Sequence, residues 1–124
     1  MTMSSTSADS TPEGARRRRQ RLRAGYRALT AALPAPMASF TDLHMAVMED
    51  GELDAAQKEL IAIGISLCHP CRDCVTIHVH DALRAGATPG QVREAIAVAV
   101  LMGGGPASIE AAEALADLEE FATG

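Results

Sequence analysis

Aromatic residues are scarce in this chain of 124 residues: Tyr26, Phe40 and Phe121 are the full set, and Trp is absent. The core must therefore be built from Ala, Leu, Ile, Val and Met, a palette that favours helix. No window offers the roughly 18 uninterrupted apolar residues of a membrane span. The first fifteen residues hold no positive charge and no apolar run, so a secretory signal is not expected and a cytoplasmic setting is. An excess of positive charge is lacking too. The formal net charge is −5, which argues against a nucleic-acid partner. The cysteines are few and not spread out: Cys68, Cys71 and Cys74 fall within seven residues. That excludes a disulfide scaffold and points to metal or redox chemistry. With 48% apolar and 22% charged residues, the length suits one globular domain.

The charge is unevenly placed. Residues 1–27 hold seven Arg against Asp9 and Glu13, whereas the rest is strongly acidic. The run Arg16–Arg19 reads as a solvated helix start that can pair with acids of the body. Residues 1–14 are rich in Ser, Thr, Pro and Gly and are expected to be a disordered tail, with a single helical domain over 15–124. Six helices are expected and no strand, giving an all-α fold. The first, 15–33, carries Leu22, Tyr26, Leu29 and Leu33 as a stripe and ends at Pro34 and Pro36. The second, 37–49, carries Phe40, Leu43, Val47 and Met48. Asp54 is the N-cap of a third, 55–67. His69-Pro70 breaks the chain before a fourth over Cys71–Ala85, which stops at Gly86. Thr88 caps and Pro89 starts a fifth to residue 102. Gly103–Gly105 is read as its stop rather than a phosphate loop, and Pro106 opens the sixth.

The third and fifth helices are apolar nearly all round, which predicts burial on every side. A domain of this size has too little interior for two such helices. Their outer faces are therefore expected to meet other subunits.

Cys71 and Cys74 form C-R-D-C at a helix start. Residues three apart share a helix face, so a reversible disulfide is geometrically open to them. The helix N-terminus favours thiolate, most of all at Cys71. His78, one turn beyond Cys74, is placed to act as its base, which favours Cys74 instead. Two antiparallel helices folding about Cys68/His69 put Glu59 and His78 level, since both are equidistant from the break. In the same scheme Cys71 faces Ser66 and Cys74 faces Ile63. Glu59, in an apolar helix, needs a partner, and His78 is the one available. The expected relay runs from Glu59, directly or through a water, to His78 and Cys74. A zinc site from Cys68, Cys71, Cys74 and His69 or His78 is the metal alternative. Covalent haem attachment is excluded, because Val75 rather than His follows the second cysteine. His80 points away from His78 and reads as a surface or interface residue; His44 and His69 read as solvated.

KELIAIGISLCHPCRDCVTIHVHDALRAGAT, with LMGGGPASIEAAEAL after it, resembles the carboxymuconolactone decarboxylase-like superfamily, in its alkylhydroperoxidase AhpD-like branch. That branch has a Glu, a CxxC twelve residues on, and a His four residues after the second Cys, the spacing of Glu59, Cys71, Cys74 and His78. The resemblance covers residues 40–118. It implies a helical protein assembling as a homo-trimer or homo-hexamer, and a thiol peroxidase or disulfide reductase that needs no metal or bound cofactor. It implies Cys74 as the peroxidatic cysteine, Cys71 as the resolving one, and His78 and Glu59 as the proton relay. The partners implied are a hydroperoxide substrate and an external dithiol of lipoyl type. Decarboxylases proper in the superfamily lack the CxxC. Three features depart from the pattern: Asp73 between the cysteines, whose carboxylate opposes thiolate formation; the additional Cys68; and the Arg-rich start. A redox sensor or scaffold of the same fold would keep the same four residues.

Overall fold

The protein was analysed as a computed structural model that describes residues 12–123. Among the described residues there are five helical segments: α1 (Ala15–Ala32), α2 (Pro34–Met48), α3 (Ala55–Cys68), α4 (Arg72–Arg84) and α5 (Pro89–Ala122), the last made of two helices joined at a kink. No strand occurs among the described residues. Of the tail expected over 1–14, residues 1–11 lie outside the described part. Residues 12–14 lead into α1 without regular structure.

The helix starts follow from capping chemistry. The Asp54 carboxylate accepts the Gln57 N–H at 2.8 Å, and the Gln57 side chain accepts the Asp54 N–H at 2.9 Å. Thr88 and Gln91 repeat this reciprocal cap at α5, with Pro89 in the first turn. Each box satisfies two N–H groups that the helix itself leaves open. Pro34 and Pro36 begin α2 instead of preceding it. Leu33 alone breaks the two helices, at φ −130° and ψ 65°, and a first turn needs no N–H from proline.

The expected fifth and sixth helices both occur: they follow one another within Pro89–Ala122 and meet at a kink at Gly104 (φ 68°, ψ −146°). Gly103–Gly105 is thus where one helix gives way to the next, and Gly104 is the residue that leaves the helical region. Gly103 serves a different need there. A Cβ at that position would lie 2.5 Å from the Ala107 Cβ and 3.0 Å from the Cys68 sulfur, so the bare backbone lets α5 approach the end of α3.

The core lies between α3, α4 and α5. Ile63, Leu67, Val75, Val79, Val92 and Leu118 are its large buried side chains, and Ala82, Ala99, Ala111 and Ala114 fill the close approaches. Small residues bring helix axes together and leave no space for rings, which fits the lack of aromatics. α1 crosses over α4 and α5, whereas α2 lies at the edge and buries no residue. Within one protomer α3 and α5 are each buried on one side, and their outer faces are open. Ile63 and Leu67 face in, but Ile65, Val98 and Met102 face out, and Leu101 is 80% exposed. The stripe on α2 is also open, with Phe40 56% exposed. α5 is long and apolar enough to span a bilayer by length and composition, but its inner face is packed in this core.

Gly104→Ala should cost about 1–3 kcal/mol, because its backbone region is essentially restricted to glycine. Urea unfolding followed by helical circular dichroism reads this as a lower midpoint at unchanged slope.

Candidate functional site

α3 and α4 form an antiparallel hairpin whose turn is His69-Pro70. The Cys71 N–H bonds the Ser66 carbonyl at 3.3 Å, so Cys71 faces Ser66 as the hairpin symmetry requires. The same symmetry sets Glu59 against His78: Glu59 Oε2 and His78 Nδ1 are 2.7 Å apart, with no intervening water needed. Glu59 is only 5% exposed. A buried carboxylate costs several kcal/mol unless it is paired, and this imidazole is its partner. With Nδ1–H donating to Glu59, the ring's other nitrogen, Nε2, carries the free lone pair.

Cys71 and Cys74 are joined as a disulfide, with Cα atoms 5.2 Å apart. Cys71 is the N-cap of α4, and its sulfur accepts the Cys74 N–H at 3.3 Å. Cys71, Cys74 and His78 are all partly exposed, so the pair is open to a reaction partner. Cys68 is a free thiol at the end of α3, bonded to the Ala99 carbonyl at 3.4 Å. It lines an open apolar groove of about 470 Å³ between α3 and α5, with Leu60, Ile65, Val98 and Met102. Among the described residues no group of three or more His, Cys, Asp and Glu side chains is placed to share a metal. His44 and His69 are exposed. His80 is partly buried; it bonds Asp81 at 2.9 Å and meets the Phe121 ring edge-on.

The electrostatic frame of the site was not legible from spacing. Asp117 of α5 is 3% exposed and is held by side chains of two other helices, α1 and α4. Arg72, inside the CxxC, gives it two guanidinium contacts at 2.6 and 2.9 Å. Arg18 of α1 adds one at 3.3 Å, and the Thr76 hydroxyl donates at 2.7 Å. Arg72 also reaches Glu113 at 2.5 Å. The Asp117 hydrogen bond is the first cause that raises the Arg72 pKa, keeping it charged throughout. Arg18 is therefore not a solvated residue. One signal for this network was present: Asp117 interrupts the stripe Ala107, Ala111, Ala114, Leu118, and a lone acid on a buried stripe requires a cation. The expected tail is likewise tied at its end. Arg21 holds Glu13 by two contacts at 3.0 and 3.1 Å, which lowers the Glu13 pKa.

These features define a class: all-helical proteins with a cysteine pair at the tip of a two-helix hairpin and a Glu–His pair across its arms. The chain belongs to the carboxymuconolactone decarboxylase family, whose profile matches residues 34–117. It is 44% identical to an uncharacterised Cupriavidus necator protein over 91 residues, 73% of this chain and 80% of that one. It is 43% identical to uncharacterised protein 4 of the cox locus of Paracoccus denitrificans over 83 residues, 67% of this chain and 75% of that one. The fold is similar to that of an apo Legionella pneumophila protein of the family, with TM-score 0.82 and 33% identity over 86% of this chain and 96% of that one. A Thermotoga maritima member has TM-score 0.67 and 25% identity over 80% of this chain and 91% of its own.

Asp117→Ala should destabilise the protein by about 2–4 kcal/mol, since it strands Arg72 and Thr76 in a partly buried site. Chemical denaturation of the two proteins measures the difference.

Proposed function

We propose that the chain is a thiol-dependent peroxidase or disulfide oxidoreductase of the AhpD-like kind, working through the Cys71–Cys74 pair. The observation that carries the reading is the 2.7 Å Glu59–His78 bond, set one helical turn from Cys74 on the helix that holds the disulfide. A structural cysteine pair has no use for a buried carboxylate that orients an imidazole. A possible part in the antioxidative response, stated for the Thermotoga maritima protein, agrees with this chemistry.

In the reduced protein, His78 Nε2 takes the Cys74 proton, and Glu59 holds the ring and stabilises the imidazolium. The Cys74 thiolate attacks the terminal oxygen of a hydroperoxide. The O–O bond breaks, Cys74 becomes a sulfenic acid, and the alcohol leaves with the proton from His78. The Cys71 sulfur then attacks the Cys74 sulfur. Water leaves and the disulfide forms, so two electrons have passed from the pair to the peroxide. An external dithiol of lipoyl type resets the pair by exchange, becoming a disulfide itself. No metal or bound cofactor enters these steps. The setting is the cytoplasm, where such reductants are maintained. The open apolar faces of α2, α3 and α5 support assembly as a homo-trimer or homo-hexamer, and light scattering of the purified protein counts the subunits.

Peroxide consumption with a dithiol reductant tests the reading. Cys74→Ser should abolish turnover, His78→Ala should lower it about 100-fold or more, and Glu59→Gln should lower it less. Equal rates in wild type, Cys74→Ser and His78→Ala would sink the assignment. Electrophile trapping assigns the first thiolate: Cys71→Ser should still react fast, whereas Cys74→Ser should not.

A further inference from the structure

The two residues between the cysteines are both held by ion pairs, each to a different helix. Arg72 is bound by Asp117 and Glu113 of α5. The Asp73 carboxylate faces α1, with its Oδ1 3.5 Å from Arg21 Nη2 and 4.0 Å from Arg18 Nε. α1 is otherwise far from the hairpin in sequence, and no turn chemistry requires it there. Asp73 sits in the first turn of α4 beside Cys74. An unopposed carboxylate there disfavours a thiolate on either sulfur.

We infer that Arg21, together with Arg18, is a positioning residue for the Cys71–Cys74 couple: it holds and neutralises Asp73, and so stabilises the reduced, thiolate-bearing form. The inference rests on the redox reading above only in requiring that the pair cycles. The other charged groups around the hairpin have their own partners. Glu59 is paired with His78, Arg72 with Asp117, and Glu13 with Arg21 itself. Arg21 therefore bridges two carboxylates, and both Glu13 and Asp73 raise its pKa, Glu13 more. Arg21 is about half exposed, with 54% of its side-chain surface open, so its removal perturbs charge more than packing.

The sign follows from the couple. In exchange with glutathione, two glutathione thiols give two electrons to the Cys71–Cys74 bond. That bond breaks, the glutathione disulfide forms, and the released sulfurs take up protons or remain as thiolate. A cation that favours thiolate pulls this equilibrium toward the reduced protein. Losing the cation returns it toward the disulfide.

The full-length protein is equilibrated at pH 7 and low salt across ratios of reduced to oxidised glutathione, and the reduced fraction is read by thiol labelling. Circular dichroism checks the fold of each variant. Arg21→Ala should shift the equilibrium about threefold toward the disulfide, the size of one exposed ion pair, and Arg21→Lys should restore most of it. Asp73→Asn should shift it about threefold the other way. Molar salt should shrink the Arg21→Ala difference. Identical equilibria for wild type and a folded Arg21→Ala would overturn the inference. If Arg21→Ala does not fold, Asp73→Asn decides alone, and an unchanged equilibrium overturns it. A disulfide that neither glutathione nor a strong dithiol reduces would overturn the redox reading as well, a result distinct from equal equilibria.

Discussion

One buried carboxylate organises this molecule. Asp117 sits almost without solvent where α1, α4 and α5 meet, and each helix sends it a donor or supplies its backbone. Helices that pack through alanine have shallow ridges and slide easily. The Asp117 contacts have fixed directions, so they set a register that the apolar core alone leaves loose. Arg72 carries that register into the CxxC, because it lies between the two cysteines. The position of the reactive pair is thus decided from the far end of the chain.

The second constraint is the hairpin itself. Its symmetry about Cys68/His69 was readable from the sequence, and with it the opposition of Glu59 to His78 and of Cys71 to Ser66. Antiparallel helices with a two-residue turn have little freedom of register, so counting outward from the break suffices. The caps at Asp54 and Thr88 were readable for the same reason: they depend on residues three apart.

What could not be read depended on contacts between distant segments. The Arg-rich start read as a solvated face able to pair with acids of the body, but nothing local distinguishes Arg18 from its neighbours. Its role exists only once Asp117 and Asp73 are brought beside it. The helix boundary at Gly103–Gly105 was legible, since glycine ends helices, but the close packing there was not. The backbone turns at Gly104 between the two helices, and a Cβ at Gly103 would lie 3.0 Å from the Cys68 sulfur. By contrast, open outer faces on α3 and α5 were legible, because a domain of this size cannot cover two such helices all round. Apolar composition reports what a helix can bury, and a single protomer covers only one side of each.

The boundary of the family match cuts through the charges around the hairpin. It takes in residues 34–117, and so includes Glu59, both cysteines, His78 and the carboxylates of Asp73 and Asp117, but leaves out Glu13, Arg18 and Arg21. α1 thus brings Arg18 and Arg21, from outside the matched region, to acids that lie within it, while Arg72 balances Asp117 from inside. The charge beside the cysteine pair is therefore set by two regions of the chain, and the family profile spans one of them.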